Sequence, residues 1–424
     1  MRKINLKNLY KDQGCLSEYD PNSLSYEKAL SLLEQLIQPV SKIKNIFIEE
    51  AQGHILAKDV KSSINVPNYD NSAMDGYVFK HRYLKTKKNK IKLHGRILAG
   101  HPIKHTEDEN ICLKIMTGGM IPKGFDTVIP QELISLDKDH VCFDFKPKKG
   151  ANIRLTGEDI SKNQIALNKG IYLNPCHIGL LASLGIIEVK VFENLKVGFF
   201  STGDEVIALG EKLKPGQVYD SNRYLIKSFV RNMQLQFQDY GNLSDNITIL
   251  EEQLKKASEE NDLIITTGGV SVGEADYMKQ VLSNIGQVLF WKMSIKPGRP
   301  MAFGKIKKSF YFGLPGNPVS AAVTFLQFVK PSIKFMMGGS QLEKMPFLYA
   351  KLDKKIKRKK GRTEFVRGRL NESKKGFTVS PLGQQGSGML KSMSDANCFI
   401  LLNSDEDTKE KNSNVKVILF EGLI

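Results

Sequence analysis

From residue 195 onward the chain alternates short apolar runs with amphipathic stretches. That alternation restricts it to a mainly parallel sheet covered by helices on both faces. Residues 196–202 and 262–267 are β-branched or aromatic runs of strand length, and helical stretches at 222–232 and 247–259 lie between them. The sharpest piece is Asp262-Leu-Ile-Ile-Thr-Thr-Gly-Gly-Val-Ser-Val-Gly-Glu-Ala-Asp276. Here a buried strand runs into a loop punctuated by Gly268, Gly269 and Gly273, and a helix follows from Tyr277. Strand, glycine loop and helix in that order turn backbone N–H groups towards an anion at a helix N-terminus. Ser271 adds a hydroxyl, and Glu274 and Asp276 add acids, which fit beside a phosphate when Mg²⁺ lies between them. A glycine loop alone also describes an ordinary tight turn. What separates the two readings is that Glu205, Asp245, Ser271 and Asp276 each follow an expected strand, where ligands collect in such sheets.

Two further segments supply chemistry. Residues 290–304 carry Lys292, Lys296 and Arg299, with Pro297-Gly298-Arg299-Pro300 indicating a fixed loop rather than a solvated strand face. In Phe312-Gly-Leu-Pro-Gly-Asn-Pro-Val-Ser320, Asn317 is the expected N-cap and Pro318 the first residue of a helix reaching residue 335.

The N-terminal half reads as a helix capped by Ser25, a strand at 43–49, a short helix at 53–57, and an irregular loop, Val66-Pro-Asn-Tyr-Asp-Asn-Ser-Ala-Met-Asp-Gly-Tyr77. Residues 80–150 are strand-rich and contain a second Thr-Gly-Gly turn at Thr117, and residues 175–186 read as a helix. His101 and His105 have metal-ligand spacing, but Pro102 argues against a helix across them. Beyond Gly338-Gly339, short strands and turns point to a small β-barrel or sandwich carrying Arg367 and Gln384-Gln-Gly-Ser-Gly388.

A chain of 424 residues forms several domains, and 41% hydrophobic with 25% charged residues is ordinary for a globular protein. The net charge of +17 suits anionic ligands. Its lysines, however, crowd polar loops at 85–92 and 354–360 without interleaved aromatics, which argues against nucleic-acid binding. Five scattered cysteines without a Cys-x-x-Cys pair argue against zinc or a disulfide framework. With no signal-peptide core at the N-terminus and no apolar stretch long enough to span a bilayer, the expected location is cytoplasmic, without a membrane partner.

Read in order, Ser72-Ala-Met-Asp-Gly-Tyr77, Thr117-Gly-Gly, Gly157-Glu-Asp-Ile160, Ser201-Thr-Gly-Asp-Glu205, Tyr219-Asp-Ser-Asn222, the glycine loop, Lys296-Pro-Gly-Arg-Pro300 and Leu314-Pro-Gly-Asn-Pro318 resemble the molybdopterin molybdenumtransferases. These are the MoeA proteins and the gephyrin and plant Cnx E domains. The resemblance covers the chain from about residue 25 to the end. It implies a multidomain α/β fold with a doubly wound, MoaB/MogA-like pterin-binding domain at 190–338 and a C-terminal β-barrel at 339–424. It also implies an inserted β-rich domain at 61–149 and a discontinuous elongated domain at 1–60 and 150–189, in a homodimer.

The implied activity is insertion of molybdate into adenylylated molybdopterin with Mg²⁺-dependent release of AMP. The implied partners are a separate molybdopterin adenylyltransferase, and molybdoenzymes or cofactor carriers downstream. By the same resemblance, Asp276 would bind Mg²⁺ with Glu205 and Asp245, and Asp75, Thr117 and Asp159 are functional positions. Gly268, Gly269, Ser271, Lys292, Lys296, Arg299, Pro315, Pro318, Arg367 and Ser387 would bind substrate. Arg299 replaces a lysine of the family motif, exchanging a point charge for a planar fork. Two alternatives stand beside this reading. Competence-damage-type proteins share a related α/β domain but lack the Ser-Ala-Met-Asp-Gly-Tyr loop and the barrel, and a gephyrin-type scaffold would not require the acidic residues.

Overall fold

The computed structural model describes residues 23–39, 42–103, 110–233, 235–243, 246–269, 277–342, 345–374, 376–420 and 422, with the backbone alone at 277, 279, 290 and 291. The chain forms two compact units. One comprises residues up to 44, 53–55 and from 192 onward; the other comprises 45–52 and 56–191.

The first unit is built on a six-stranded sheet in the order Gln236–Leu243, Lys196–Thr202, Leu263–Thr267, Ser309–Leu314, Pro300–Ile306, Gly286–Lys292. The first four strands are parallel; Pro300–Ile306 runs against them, and the edge strand Gly286–Lys292, antiparallel to it, runs with them again. Leu263–Thr267 is buried at every position, as a strand covered on both faces must be. On one face Phe200, Ile264 and Tyr311 pack against Leu250, Leu254 and Ala257 of helix Ile247–Glu260 and Val281 and Leu282 of helix Tyr277–Ile285. Elsewhere in the unit Phe199 stacks on Phe237 at 5.7 Å, and Phe229 of helix Ser221–Asn232 stacks on Phe325 at 5.1 Å.

Helix Pro318–Thr324 continues through a π-helical turn, Phe325–Val329, into Lys330–Met336. Pro331 accounts for the turn, because it removes the N–H that would bond to Gln327 and its ring crowds that carbonyl. Asn317 occupies the N-cap position, but its side chain makes no capping bond, contrary to the expectation from sequence.

Beyond this helix, strands Leu348–Leu352, Thr363–Ser373, Gly376–Pro381, Cys398–Leu402 and Asn414–Leu419 close into a five-stranded barrel, because Thr363–Ser373 pairs with both Gly376–Pro381 and Cys398–Leu402. Its interior holds Leu352, Val366, Val379, Ile400 and Val417. The two-residue strand Ile295–Lys296 pairs in parallel onto Thr363–Glu364 and joins the barrel to the loop before Pro300.

The second unit contains a six-stranded sheet in the order Thr127–Pro130, Gly76–Phe79, Ile111–Ile115, Asn89–Ile97, His140–Phe143, Ser135–Asp137. Apolar clusters lie around Phe79, Cys112 and Val141 and around Val78, Leu113 and Val128, alternate residues of its strands. A third cluster, with Ala51, Leu56, Leu173, Leu181 and Val189, packs around helix Pro175–Ser183. The helix expected at 53–57 is absent. A 3₁₀ turn at Ile48–Glu50 precedes Gly53, whose φ of 84° is incompatible with a continuing helix, and Leu56 bridges to Val191 instead. His101 sits in a turn, its N–H donating to the Leu98 carbonyl at 3.1 Å; His105 lies outside the described residues.

Candidate functional site

The carboxyl ends of Lys196–Thr202 and Leu263–Thr267 lie side by side at the point where the chain reverses the direction in which it adds strands. The first strand is followed on one side by Gln236–Leu243 and on the other by Leu263–Thr267. A cleft of about 780 Å³ opens there, lined by Thr202, Glu205, Thr267, Gly268, Gly269 and Asn222 among others. Its far wall is the Pro315–Pro318 turn, and Gly388 of the barrel region lies on its rim. This is the crevice where doubly wound sheets bind ligands.

The backbone geometry of the cleft is tight. Gly268 has φ +88°, and a Cβ there would lie 2.5 Å from Thr202 Oγ1 and 2.8 Å from Thr202 O. At Gly203 a Cβ would fall 2.6 Å from Glu205 Oε2, so the Glu205 carboxylate folds back over its own turn. The Glu205 carbonyl accepts Val218 N–H at 2.8 Å, but its carboxylate has no hydrogen-bond or ion-pair partner among the described residues and can take a cation or a donor. Asp220 is already committed. It caps helix Ser221–Asn232 through Arg223 N–H (3.0 Å), pairs with Arg223 Nε (2.9 Å) and accepts from the Ser201 hydroxyl. Asn222 fastens that helix start to the opposite turn, donating to Gly316 O at 2.7 Å.

The predicted basic residues divide into three places. Lys292 ends its strand opposite Pro300, which lines the cleft, and partial burial, then the Arg299 guanidinium, push its ammonium below the ordinary value. Arg299 accepts Met293 N–H at its carbonyl (2.7 Å). Lys296 turns to the barrel, where its Nζ lies 3.4 Å from Glu364. Arg367, 1% exposed, has no carboxylate partner among the described residues. Its guanidinium donates to Ser392 Oγ (3.1 Å), Gly386 O (2.9 Å) and Gln384 O (3.4 Å), and burial lowers its pKa to about 10. It therefore organises the 384–388 loop as a cation. That loop reaches the cleft where Ser387 O accepts Val319 N–H at 3.0 Å, leaving the Ser387 hydroxyl without a partner among the described residues.

Among the remaining predicted residues, Asp245, Ser271 and Asp276 lie outside the described residues. Asp75, Thr117 and Asp159 belong to the second unit. There Asp75 Oδ1 accepts both the N–H and the hydroxyl of Thr117 at 2.7 Å each. Asp70, not singled out by the sequence, repeats that clamp on Thr156 at 2.7 Å twice, three residues before Asp159. The sequence reading also missed Glu364, because strand pairing alone brings it to Lys296.

Residues 24–185 match the MoeA N-terminal region (domain I and II), residues 198–334 a probable molybdopterin binding domain, and residues 349–420 the MoeA C-terminal region (domain IV). A Haemophilus influenzae protein described as molybdopterin molybdenumtransferase is 41% identical over 404 residues, covering 95% of this chain and 100% of its own. This chain belongs to the MoeA family. A Staphylococcus epidermidis protein of the same description is 31% identical over 397 residues, 92% of this chain and 94% of its own. The crystal structure of the molybdopterin biosynthesis moeA protein from Pyrococcus horikoshii OT3 superposes with a TM-score of 0.81 at 28% identity, covering 94% of this chain and 100% of that one. The fold of this chain is therefore that of the MoeA structure over most of its length.

Proposed function

We propose that the chain is a molybdenum insertase, which loads molybdate into adenylylated molybdopterin and releases AMP. The observation that carries this reading is the cleft at the switch point of the sheet, with a partnerless carboxylate, Glu205, beside the Gly268-Gly269 turn. It falls within the segment matched by a probable molybdopterin binding domain. The start of helix Ser221–Asn232 and the Pro315–Pro318 turn also border it, so backbone N–H groups are available to a diphosphate.

Glu205 also fits the Mg²⁺ requirement of this reading, since its carboxylate has no competing partner, whereas Asp220 is already saturated. Glu205, Asp245 and Asp276 would hold Mg²⁺, and when bound it would supply neutralising charge at the phosphates. Molybdate, a dianionic substrate, needs several cations and donors once out of water, and Lys292, Lys296, Arg299, Ser271 and Ser387 are the groups proposed for it, with the buried Arg367 holding the loop that carries Ser387. A pure scaffold would have no use for a free carboxylate beside a glycine turn, and that reading is not favoured.

The same proposal makes the protein a cytoplasmic homodimer that receives its pterin from a separate adenylyltransferase and passes the product to molybdoenzymes or carriers. No described helix is long and apolar enough to cross a membrane. The test is incubation of purified protein with adenylylated molybdopterin, Mg²⁺ and molybdate, following AMP and bound molybdenum. Wild type should release AMP, while Glu205→Gln and Asp276→Asn should each lower turnover by about a hundredfold or more with the fold retained. A wild type that releases no AMP, or variants as fast as wild type, would sink the assignment.

A further inference from the structure

Glu364 lies at the junction between the barrel and the Lys296-Pro297-Gly298-Arg299 loop. Its side chain is about nine-tenths buried and sits between two cations, with Oε2 3.4 Å from Lys296 Nζ and Oε1 3.5 Å from Arg358 Nε. The two cations differ in freedom. The Arg358 side chain is fully buried and fixed, with Nη1 donating to Asn403 O at 2.7 Å and Nη2 to Arg362 O at 2.5 Å. The Lys296 side chain is half exposed, and its contact with Glu364 is longer than a good charge-assisted hydrogen bond. The pairing is built in, because Lys296 and Glu364 are direct partners in the Ile295–Lys296 to Thr363–Glu364 register. Both contacts are long, and Arg358 Nε makes no hydrogen bond to the carboxylate, so Glu364 keeps its charge for Lys296; what differs is that Arg358 is fixed and the half-exposed Lys296 can exchange partners.

We propose that Glu364 is an internal stand-in anion that occupies Lys296 until a substrate oxyanion takes its place, and so sets the charge an incoming anion must carry. The inference rests on the reading above that Lys296 serves the oxyanion. A monoanion that displaces Glu364 exchanges one single charge for another and loses the advantage of a tethered partner. A dianion gains from its second charge, so the exchange favours molybdate over nitrate or chloride. Glu364 is then a specificity-determining residue, acting through Lys296 rather than on the anion itself.

The experiment is equilibrium binding of molybdate to the purified full chain, alone and with nitrate as competitor. Wild type is compared with Glu364→Gln, Glu364→Asp, Lys296→Ala and the double variant Glu364→Gln/Lys296→Ala. Glu364→Gln should tighten molybdate roughly fivefold, the size of an ion pair half in solvent. It should also let nitrate compete at concentrations that leave wild type unaffected. Glu364→Asp, which keeps the charge but draws it back towards its own strand and away from Lys296, should shift affinity the same way by less, and it decides the matter if Glu364→Gln fails to fold. The gain should vanish in the Lys296→Ala background. Weaker or unchanged molybdate binding in Glu364→Gln, expected if Glu364 merely orders the barrel mouth, overturns the proposal, as does a gain that survives the loss of Lys296. If wild type binds no molybdate, the oxyanion reading fails and takes this inference with it. If wild type binds and only the Glu364 effects are missing, this inference alone fails.

Discussion

Asp75 uses a single carboxylate oxygen for two donors of Thr117, its hydroxyl and its N–H. The hydroxyl bond first, and the backbone bond next, hold the Asp75 carboxyl below its ordinary value. A carboxyl with a depressed folded-state pKa favours the folded arrangement above its unfolded value and loses that contribution as pH falls through the folded one. The clamp should therefore persist at neutral pH and release only below the ordinary carboxylate range. Carbon-detected NMR of the Asp75 carboxyl should give that low midpoint, and Thr117→Val, which removes the larger cause, should move it up. A midpoint indifferent to the substitution would show that Thr117 does not hold the charge. Gly268 makes a different residue-scale demand. With φ +88° and Thr202 within 2.5 Å of any Cβ, Gly268→Ala should lower stability by about 1–3 kcal/mol from backbone strain, with the clash added. Calorimetry showing an unchanged Tm would mean that the turn can open away from Thr202.

At the scale of elements, the docking of helix Tyr26–Leu36 turns on one bond. Tyr26 donates its hydroxyl to Gln327 Oε1 at 3.0 Å and packs edge-on against Phe328 and Phe365, with ring centroids 5.5 Å away in each case. Gln327 is fully buried in the π-helical turn, and its Nε2 has no partner among the described residues. Burial, and secondarily Glu27, push the Tyr26 hydroxyl pKa up, so it remains a donor throughout the working range. Tyr26→Phe should cost about 1–3 kcal/mol by leaving the buried amide unpaired at both ends. A urea midpoint equal to wild type would contradict this. None of this was legible in the sequence, where Ser25 marked the helix start but nothing tied Tyr26 to a residue 301 positions away.

The strands at 196–202 and 262–267 could be read because a buried parallel strand is a run of apolar and β-branched residues without polar alternation, and glycines with positive φ mark the turn after it. The helix expected at 53–57 failed because a short buried run carries no period, and the inward turn of Ile55 and Leu56 is a tertiary effect. At the site, Glu205, Gly268, Gly269, Pro315 and Pro318 line one cleft because each sits in a local turn signature. The Lys296–Glu364 contact depends on strand pairing across the barrel, and the inward turn of Arg367 depends on carbonyls of the 384–386 loop. Neither leaves a trace in spacing.

For the whole molecule, the basic residues behind the +17 net charge are not all unpaired, and in the barrel several of them face acids. The basic loop around 354–360 faces an acidic turn, with Lys355 2.6 Å from Glu410 and Lys360 3.2 Å from Asp407, while Lys409 pairs with Glu406 at 2.7 Å. These exposed pairs contribute little to stability, yet they intersperse acids with the lysines of that loop. Assembly is the larger question at this scale. In the unit formed by 45–52 and 56–191, Phe47 is 54% and Ile187 70% exposed, and both border a groove with Ile48, Ala182 and Ile186. Large apolar side chains clustered at a groove are costly to leave in water, and the proposed homodimer gives them a cover. Light scattering at micromolar concentration should therefore give twice the 47.6 kDa chain mass. Joint substitution Phe47→Lys and Ile187→Lys should shift the protein to monomer by placing like charges where the two copies meet. A wild-type monomer would count against the dimer itself, while a dimer indifferent to both lysines would mean that the two copies join through another face.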